Sequence, residues 1–331
     1  MATQRAVRLS DVAAVAGVSK ATASKALNDS PVVSPATKAR VREAAERLDF
    51  RPNALALSFA SGRSRTVGLL THRATATFSR PVVMGAILRL GSRERAVLVF
   101  DGRIDAHRDM AESVRTLQDR RIDGLLVVGS GYARLTPSIT HHFDVPVTYA
   151  FAATDDPDDV VFLPDNERAG YLAGRHLLER GRTSIAHVTA DADDLAVRRR
   201  EEGFRRALAE AGTEAVTTLH GTWRREWGER AVEILDDGPV PVDGIFCGND
   251  HIAFGVLDAL EASGRRVPDD VAVVGVDNWE EVVVDQKLRR LTTVDLDLTG
   301  VGRVAADNVI DPAAHGGERF VEPALVLGPS T

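Results

Sequence analysis

From Thr66 onward the chain alternates short apolar runs with spacers long enough for a helix, and this rhythm limits its fold more than any other feature. Val67–Thr71, Ala96–Phe100, Gly124–Val128 and Val145–Tyr149 form one series, and Thr183–Val188, Gly244–Cys247 and Val271–Gly275 form another. Short runs rich in β-branched residues read as strands buried on both faces. Spacers such as Asp109 to Arg120 read as helices crossing between parallel strands. The expected fold class is α/β, with two doubly wound parallel-sheet lobes. In such sheets ligands bind beyond the carboxyl ends of the strands, so a cleft between the lobes is the expected ligand site.

The first 65 residues have a different texture. They hold 11 Lys and Arg against 5 Asp and Glu, a net +6, although the whole chain carries −7. A small basic module therefore sits on an acidic body, an asymmetry suited to neutralising phosphates without indiscriminate adhesion to nucleic acid. Three short helices are expected here. Ser10 is read as the N-cap of a helix ending at Ala16. Gly17 makes a turn, and Ser19 caps a second helix from Lys20 to about Leu27. A third opens with Ser34 and Pro35 and buries Val41, Ala45 and Leu48. On the second helix Ala23, Ala26 and Leu27 share the inner face. Lys20, Ala21, Ser24, Lys25 and Asn28 share the outer one, a small basic surface that suits a major groove.

Other classes are disfavoured. No apolar run approaches the roughly 18 residues needed to span a bilayer, and the N-terminus lacks the pattern of a secretory signal, so a cytoplasmic location is expected. Cys247, the single cysteine, is read as a small buried apolar residue rather than a reactive thiol. The acidic runs Asp155–Asp159 and Asp191–Asp194 lack the Gly turn and terminal Glu of a calcium loop. His141, His142 and His176 have no second ligand at helical or hairpin spacing, so no metal and no cofactor are expected. No nucleophile elbow, P-loop or dinucleotide fingerprint is present, and the chain is read as a non-enzyme.

The basic module carries a long gapped motif, Leu9-Ser-Asp-Val-Ala-Ala-Val-Ala-Gly-Val-Ser-Lys-Ala-Thr-Ala-Ser-Lys-Ala-Leu-Asn28, followed by Val33-Ser-Pro-Ala-Thr37 and Phe50-Arg-Pro-Asn53. It closely resembles the headpiece of the lactose-repressor (LacI/GalR) family. The resemblance continues through Arg200-Glu-Glu-Gly-Phe204, Gly248–Gly255, Val267–Asn278 and Leu291–Val294, which look like that family's effector-binding core, itself of periplasmic-binding-protein type. It implies a helix-turn-helix headpiece over 1–52, a hinge helix and linker over 53–64 and an effector-binding core over 65–331. The first lobe is expected at about 65–164 plus 294–312, the second at about 165–293 plus 319–331. Lys20, Ala21 and Lys25 are implied to read base edges, and Ser10, Ser19, Thr22, Ser24, Asn28, Ser34 and Thr37 to hold phosphates. Asn53, Ala56 and Phe59 belong to the implied hinge, where Phe59 replaces the family's leucine as a minor-groove wedge. Lys25 stands where the family generally has arginine, which makes a single-point contact of a bidentate one.

In the core, His72, Phe78, Arg200, Trp223, Asn249 and Asp277 are implied to line the cleft. Arg200 and Asp277 would fork onto adjacent hydroxyls, Asn249 would both give and accept, and Trp223 would cover an apolar face. A sugar or glycoside is the first expectation for the ligand. Phe151 and Leu296 replace polar positions of sugar-binding members, which leaves a nucleoside-like ring, or a repressor answering to a protein partner, as alternatives. A solute-binding protein is more remote. The implied assembly is a homodimer on a pseudo-palindromic operator, with no membrane partner. The C-terminus carries no heptad tail for a coiled-coil tetramer.

Overall fold

The computed structural model describes residues 7–50, 64–71, 74–102, 114–131, 135–278, 290–312 and 315–331. The chain divides into two compact units, Met1–Arg65 and Thr66–Thr331.

The first unit contains α1 (Leu9–Ala16), α2 (Lys20–Leu27) and α3 (Pro35–Arg47). Gly17 ends α1 in the left-handed region at φ 66°, which a residue without Cβ adopts freely, and so turns the chain sharply into α2. Val12, Ala13, Ala16, Ala23, Ala26, Val41, Ala44 and Ala45 form the core, with Leu9, Leu27, Leu48 and Phe50 packed at its rim. Ser19 and Ser34 cap their helices as expected. Ser10 does not. The first helix starts two residues earlier, with Arg8 at the N-cap, and there Asp11 accepts the Arg8 backbone N–H at 2.8 Å and thereby satisfies the helix entry. Ser10 lies inside α1 and is exposed.

The second unit holds two six-stranded sheets. The first contains β1 (Thr66–Thr71), β2 (Ala96–Asp101), β3 (Gly124–Val128), β4 (Val147–Ala150), β5 (Val160–Pro164) and β11 (Gly317–Val321). Its order is β11-β5-β4-β3-β1-β2, parallel throughout. The second contains β6 (Ile185–Thr189), β7 (Thr217–His220), β8 (Gly244–Cys247), β9 (Ala272–Val276), β10 (Thr292–Asp295) and β12 (Ala324–Val326). Its order is β12-β10-β9-β8-β6-β7, with β12 antiparallel to β10. The chain crosses between lobes after Pro164, after Asp295 and between Val321 and Ala324. Two expected lobe boundaries therefore move. Residues 294–295 belong to the second sheet through β10, and residues 317–321 belong to the first through the pairing of β11 with β5.

Helices α4 (Ser79–Ser92), α5 (Asn166–Glu179), α6 (Leu195–Glu210), α7 (Arg225–Asp236), α8 (Asp250–Ala262) and α9 (Leu298–Ile310) cover the sheets. They pack in pairs, α4 with α9, α5 with α6, and α7 with α8. Each pair meets backbone to backbone. A Cβ on Gly170 of α5 would lie 1.8 Å from the Arg200 carbonyl oxygen, and one on Gly203 of α6 would lie 1.8 Å from that of Glu167. Gly85 and Gly302 form the same reciprocal contact in the first pair, and Gly228 and Gly255 in the third. Such approach is open only to a residue without a side chain.

Adding a methyl at Gly203 must push α6 off α5, so Gly203→Ala is expected to destabilise the protein by about 2 kcal/mol or more. Gly91 in α4 has open space around its would-be Cβ. There alanine is expected to stabilise by roughly 0.5 kcal/mol, because it restricts the unfolded chain. Urea melts of the two variants check the opposite signs.

Candidate functional site

The α2 surface divides as its spacing predicts. Ala23 and Ala26 are buried, while Lys20, Ala21, Lys25 and Asn28 are exposed and Thr22 and Ser24 half-buried. Ser19 Oγ accepts the Thr22 backbone N–H at 3.1 Å and lies 2.8 Å from Thr22 Oγ1. The Ser34–Thr37 pair repeats this geometry at the start of α3, at 3.3 and 2.9 Å. Both helix starts thus present hydroxyls and backbone N–H groups at an exposed surface, donors suited to phosphate oxygens. The cations fall into two sets. Lys38 and Arg42 both pair with Asp29, at 3.1 and 2.9 Å. The hydrogen bond and charge of Lys38, with the charge of Arg42, hold the Asp29 carboxyl below its usual range. Lys20 and Lys25 have no ion pair among the described residues. Positive charge not already neutralised by a neighbour is therefore found on the outer face of α2. Asn53, Ala56 and Phe59 lie outside the described residues.

In the second unit, seven residues singled out from sequence line one cavity of about 300 Å³: Phe78, Phe151, Arg200, Trp223, Asn249, Asp277 and Leu296. His72 lies outside the described residues. Ser130, Gly131, Pro164, Asn166, Asp194, Ala196 and His251 complete the lining. The convergence follows from topology. Phe151 follows β4, Pro164 ends β5 and Asn166 opens α5, while Asn249 follows β8, Asp277 follows β9 and Leu296 follows β10. These segments emerge at the carboxyl ends of the strands, where the two sheets face each other.

Arg200 forms the floor. Its guanidinium is buried and donates from Nε to Asn166 Oδ1 at 2.8 Å and from Nη1 to the Gly248 carbonyl. Nη2 stands 3.7 Å from Asp277 Oδ1, an ion pair longer than a hydrogen bond. The same guanidinium lies 5.5 Å from the centre of the Trp223 ring. Burial pushes the Asp277 carboxyl up to about 7, with Arg200 opposing and Asp295 reinforcing the rise. The backbone here is unusual as well. Asp277 has φ 110° and Phe151 φ 53°, left-handed conformations that cost free energy in residues with a Cβ and that aim both side chains into the cavity.

Asn249 lines the cavity as expected and is also held within the protein. Its Oδ1 caps α8 by accepting the Ile252 N–H at 2.8 Å, and its Nδ2 donates to the Trp223 carbonyl at 3.2 Å. Asp194 likewise caps α6 through Ala196 N–H at 2.8 Å and accepts the Trp223 indole N–H at 3.3 Å. Sequence reasoning missed Asp194 and Asn166. Both stand at helix starts that face the cleft, and that position was the available signal. Among the described residues, no group of three His, Cys, Asp or Glu is placed to hold a metal ion, and no helix is long and apolar enough to cross a membrane.

Comparison with known proteins gives a consistent result along the chain. Residues 64–322 match the model for periplasmic binding proteins and sugar binding domain of LacI family, and residues 8–53 match that for bacterial regulatory proteins, lacI family. The HTH-type transcriptional repressor PurR of Vibrio vulnificus (strain CMCP6) is 30% identical over 314 residues, covering 92% of this chain and 91% of its own. PurR of Vibrio atlanticus (strain LGP32) is 29% identical over 306 residues, with the same coverage. Among solved structures, a complex of the transcriptional regulator CelR with cellobiose has a TM-score of 0.63 at 28% identity, covering 98% of this chain and 100% of that one. The lac repressor dimer bound to operator and the anti-inducer ONPF has a TM-score of 0.72 at 23% identity, covering 98% and 99%, a likeness of fold.

The two bonds of Asn249 give a test that needs no ligand. Asn249→Ala is expected to lower the stability of the unliganded protein by about 1–2 kcal/mol through loss of the cap, measured by urea denaturation. An unchanged midpoint would contradict the capping role.

Proposed function

The chain belongs to the lacI family of bacterial regulatory proteins, and from that premise we propose that it acts as a homodimeric repressor whose α2 reads operator DNA while the cleft takes the controlling small molecule. The observation that carries the cleft assignment is convergence: residues far apart in the chain, chosen by their match to the family, line one cavity. The unpaired Lys20 and Lys25 on the outer face of α2 support the DNA assignment. In this reading Lys20, Ala21 and Lys25 approach base edges from the major groove. Ser10, Ser19, Thr22, Ser24, Asn28, Ser34 and Thr37 face the phosphates. Asn53, Ala56 and Phe59 follow into the minor groove, where an aromatic wedge can replace a stacking neighbour. A regulator of chromosomal DNA works in the cytoplasm.

The repressor is controlled because its ligand binds two arrangements of the lobes unequally and so biases the spacing of the two headpieces. A sugar or glycoside agrees with the sugar-binding description of the family domain. A specific observation favours a less polar ring. Phe78, Phe151, Trp223 and Leu296 wall the cavity, and the polar side chains of Asn166, Asn249 and Asp194 are engaged within the protein.

Selection of full-length protein against a random duplex library tests the DNA reading. The expected product is a pseudo-palindrome with half-sites about one helical turn apart or a multiple of it. Lys25→Ala is expected to weaken binding to that sequence by roughly tenfold and to relax preference at one base pair in each half-site. An unenriched library, or an equal loss of affinity for every sequence, would contradict it.

A further inference from the structure

The turn that follows α2 carries a carboxylate held between two cations of α3. Asp29 Oδ1 stands 3.1 Å from Lys38 Nζ and 2.9 Å from Arg42 Nη2. Lys38 Nζ also donates to the Asp29 backbone carbonyl at 3.0 Å, and its side chain is only 18% exposed, against 69% for that of Asp29. The two cations hold the Asp29 carboxyl below its usual range, so it is ionised at neutral pH. Neither the backbone nor the stability of the unit calls for an acid here. Asp29 leaves α2 at φ 56°, with its N–H bonded to the Ala26 carbonyl. Glycine and asparagine adopt that left-handed conformation as readily, so the turn itself requires no charge. Ion pairs of so exposed a carboxylate contribute little to stability. Their effect on the distribution of charge is larger. Ser34, Lys38 and Arg42 are spaced four residues apart and form one stripe along α3, which starts at the Ser34–Thr37 pair read above as facing phosphates. Without Asp29 the stripe would carry the phosphate-binding surface onward from the helix start.

We propose that Asp29 is a charge mask, which keeps Lys38 and Arg42 from DNA phosphates and so limits the attraction of the first unit to DNA of any sequence. The proposal rests on the reading of this unit as the DNA-binding headpiece, and adds a residue that works against binding. Attraction to phosphates is indifferent to base sequence, and each cation that reaches a phosphate raises affinity for every duplex alike. Lys20 and Lys25 have no ion pair among the described residues and lie on the face of α2 that carries the base-reading side chains. Lys38 and Arg42 lie on α3, and their charge is met within the protein. Masking them leaves electrostatic attraction strongest where bases can also be read, which is what a sequence-specific binder needs in the presence of a large excess of other DNA.

The test is binding of full-length protein to a fluorescent duplex of shuffled sequence, about three helical turns long, measured from about 50 to 200 mM salt. Asp29→Asn removes the charge and keeps a residue suited to the turn. It is expected to raise affinity roughly tenfold at the low-salt end and to steepen the plot of log affinity against log salt by about 1–2 for each headpiece bound. The double replacement Lys38→Gln with Arg42→Gln is then made in both backgrounds. It is expected to cancel the gain in Asp29→Asn protein and to change the slope less where Asp29 is present, a non-additivity that a purely structural role does not produce. Circular dichroism and a urea melt establish that each variant folds. Asp29→Gly, equally suited to φ 56°, replaces an Asp29→Asn protein that does not fold, and failure of both would make Asp29 a structural residue and overturn the proposal. Unchanged or weaker binding by a folded Asp29 variant would overturn it too. So would an equal effect of the double replacement in both backgrounds, which is the mark of net charge alone. Wild-type protein that binds neither this duplex nor any sequence from a random library would overturn the DNA reading itself, and the mask with it.

Discussion

A single buried arginine ties the helix packing of the second unit to its cleft. The backbone of Arg200 seats α6 against Gly170 of α5, where no side chain fits. Its guanidinium reaches across to Asn166, to the carbonyl of Gly248 and toward Asp277. A cation in this position is tolerable only because oxygen acceptors surround it, and removal of Asp277 would leave the buried charge without the carboxylate that pairs with it. The same requirement fixes the segments around it. Asn166 follows β5, Gly248 follows β8 and Asp277 follows β9, so one side chain holds three strand ends in register around the cavity.

The cavity also meets the joints between the lobes. Pro164 and Asn166 lie where the chain first crosses from one lobe to the other, and Leu296 lies where it crosses back. A ligand there touches connecting segments as well as walls. Any change in the angle between lobes then changes its contacts, which supplies the unequal affinity that effector control requires. The reciprocal glycines leave each helix pair little freedom to slide, so motion concentrated at the crossovers is the economical way for the unit to respond.

Much of this was legible in the amino-acid sequence, and what was not has identifiable causes. Strands buried on both faces, such as Leu125–Val128 and Val273–Val276, stand out as apolar runs. Strand β7 is half-exposed, β11 is Gly-Glu-Arg-Phe-Val, and β10 is Thr-Thr-Val-Asp; none makes such a run. The lobe of β11 is decided by its pairing with β5, more than 150 residues earlier in the chain, a contact that local pattern does not encode. Ser10 resembled a cap because Ser is a favoured capping residue, yet Asp11 one position later satisfied the helix entry instead. In the cleft, resemblance located the residues but not their bonds. Asn249 was expected to serve a ligand, and the structure engages its side-chain amide in a cap and a loop carbonyl.

The central claim is that the cleft and the DNA-reading surface are thermodynamically linked. The most direct test measures operator affinity with and without saturating cleft ligand, and ligand affinity with and without saturating operator, on the same full-length protein. Linkage requires the two ratios to be equal and different from one. A ligand that binds the cleft but leaves operator affinity unchanged would contradict the account.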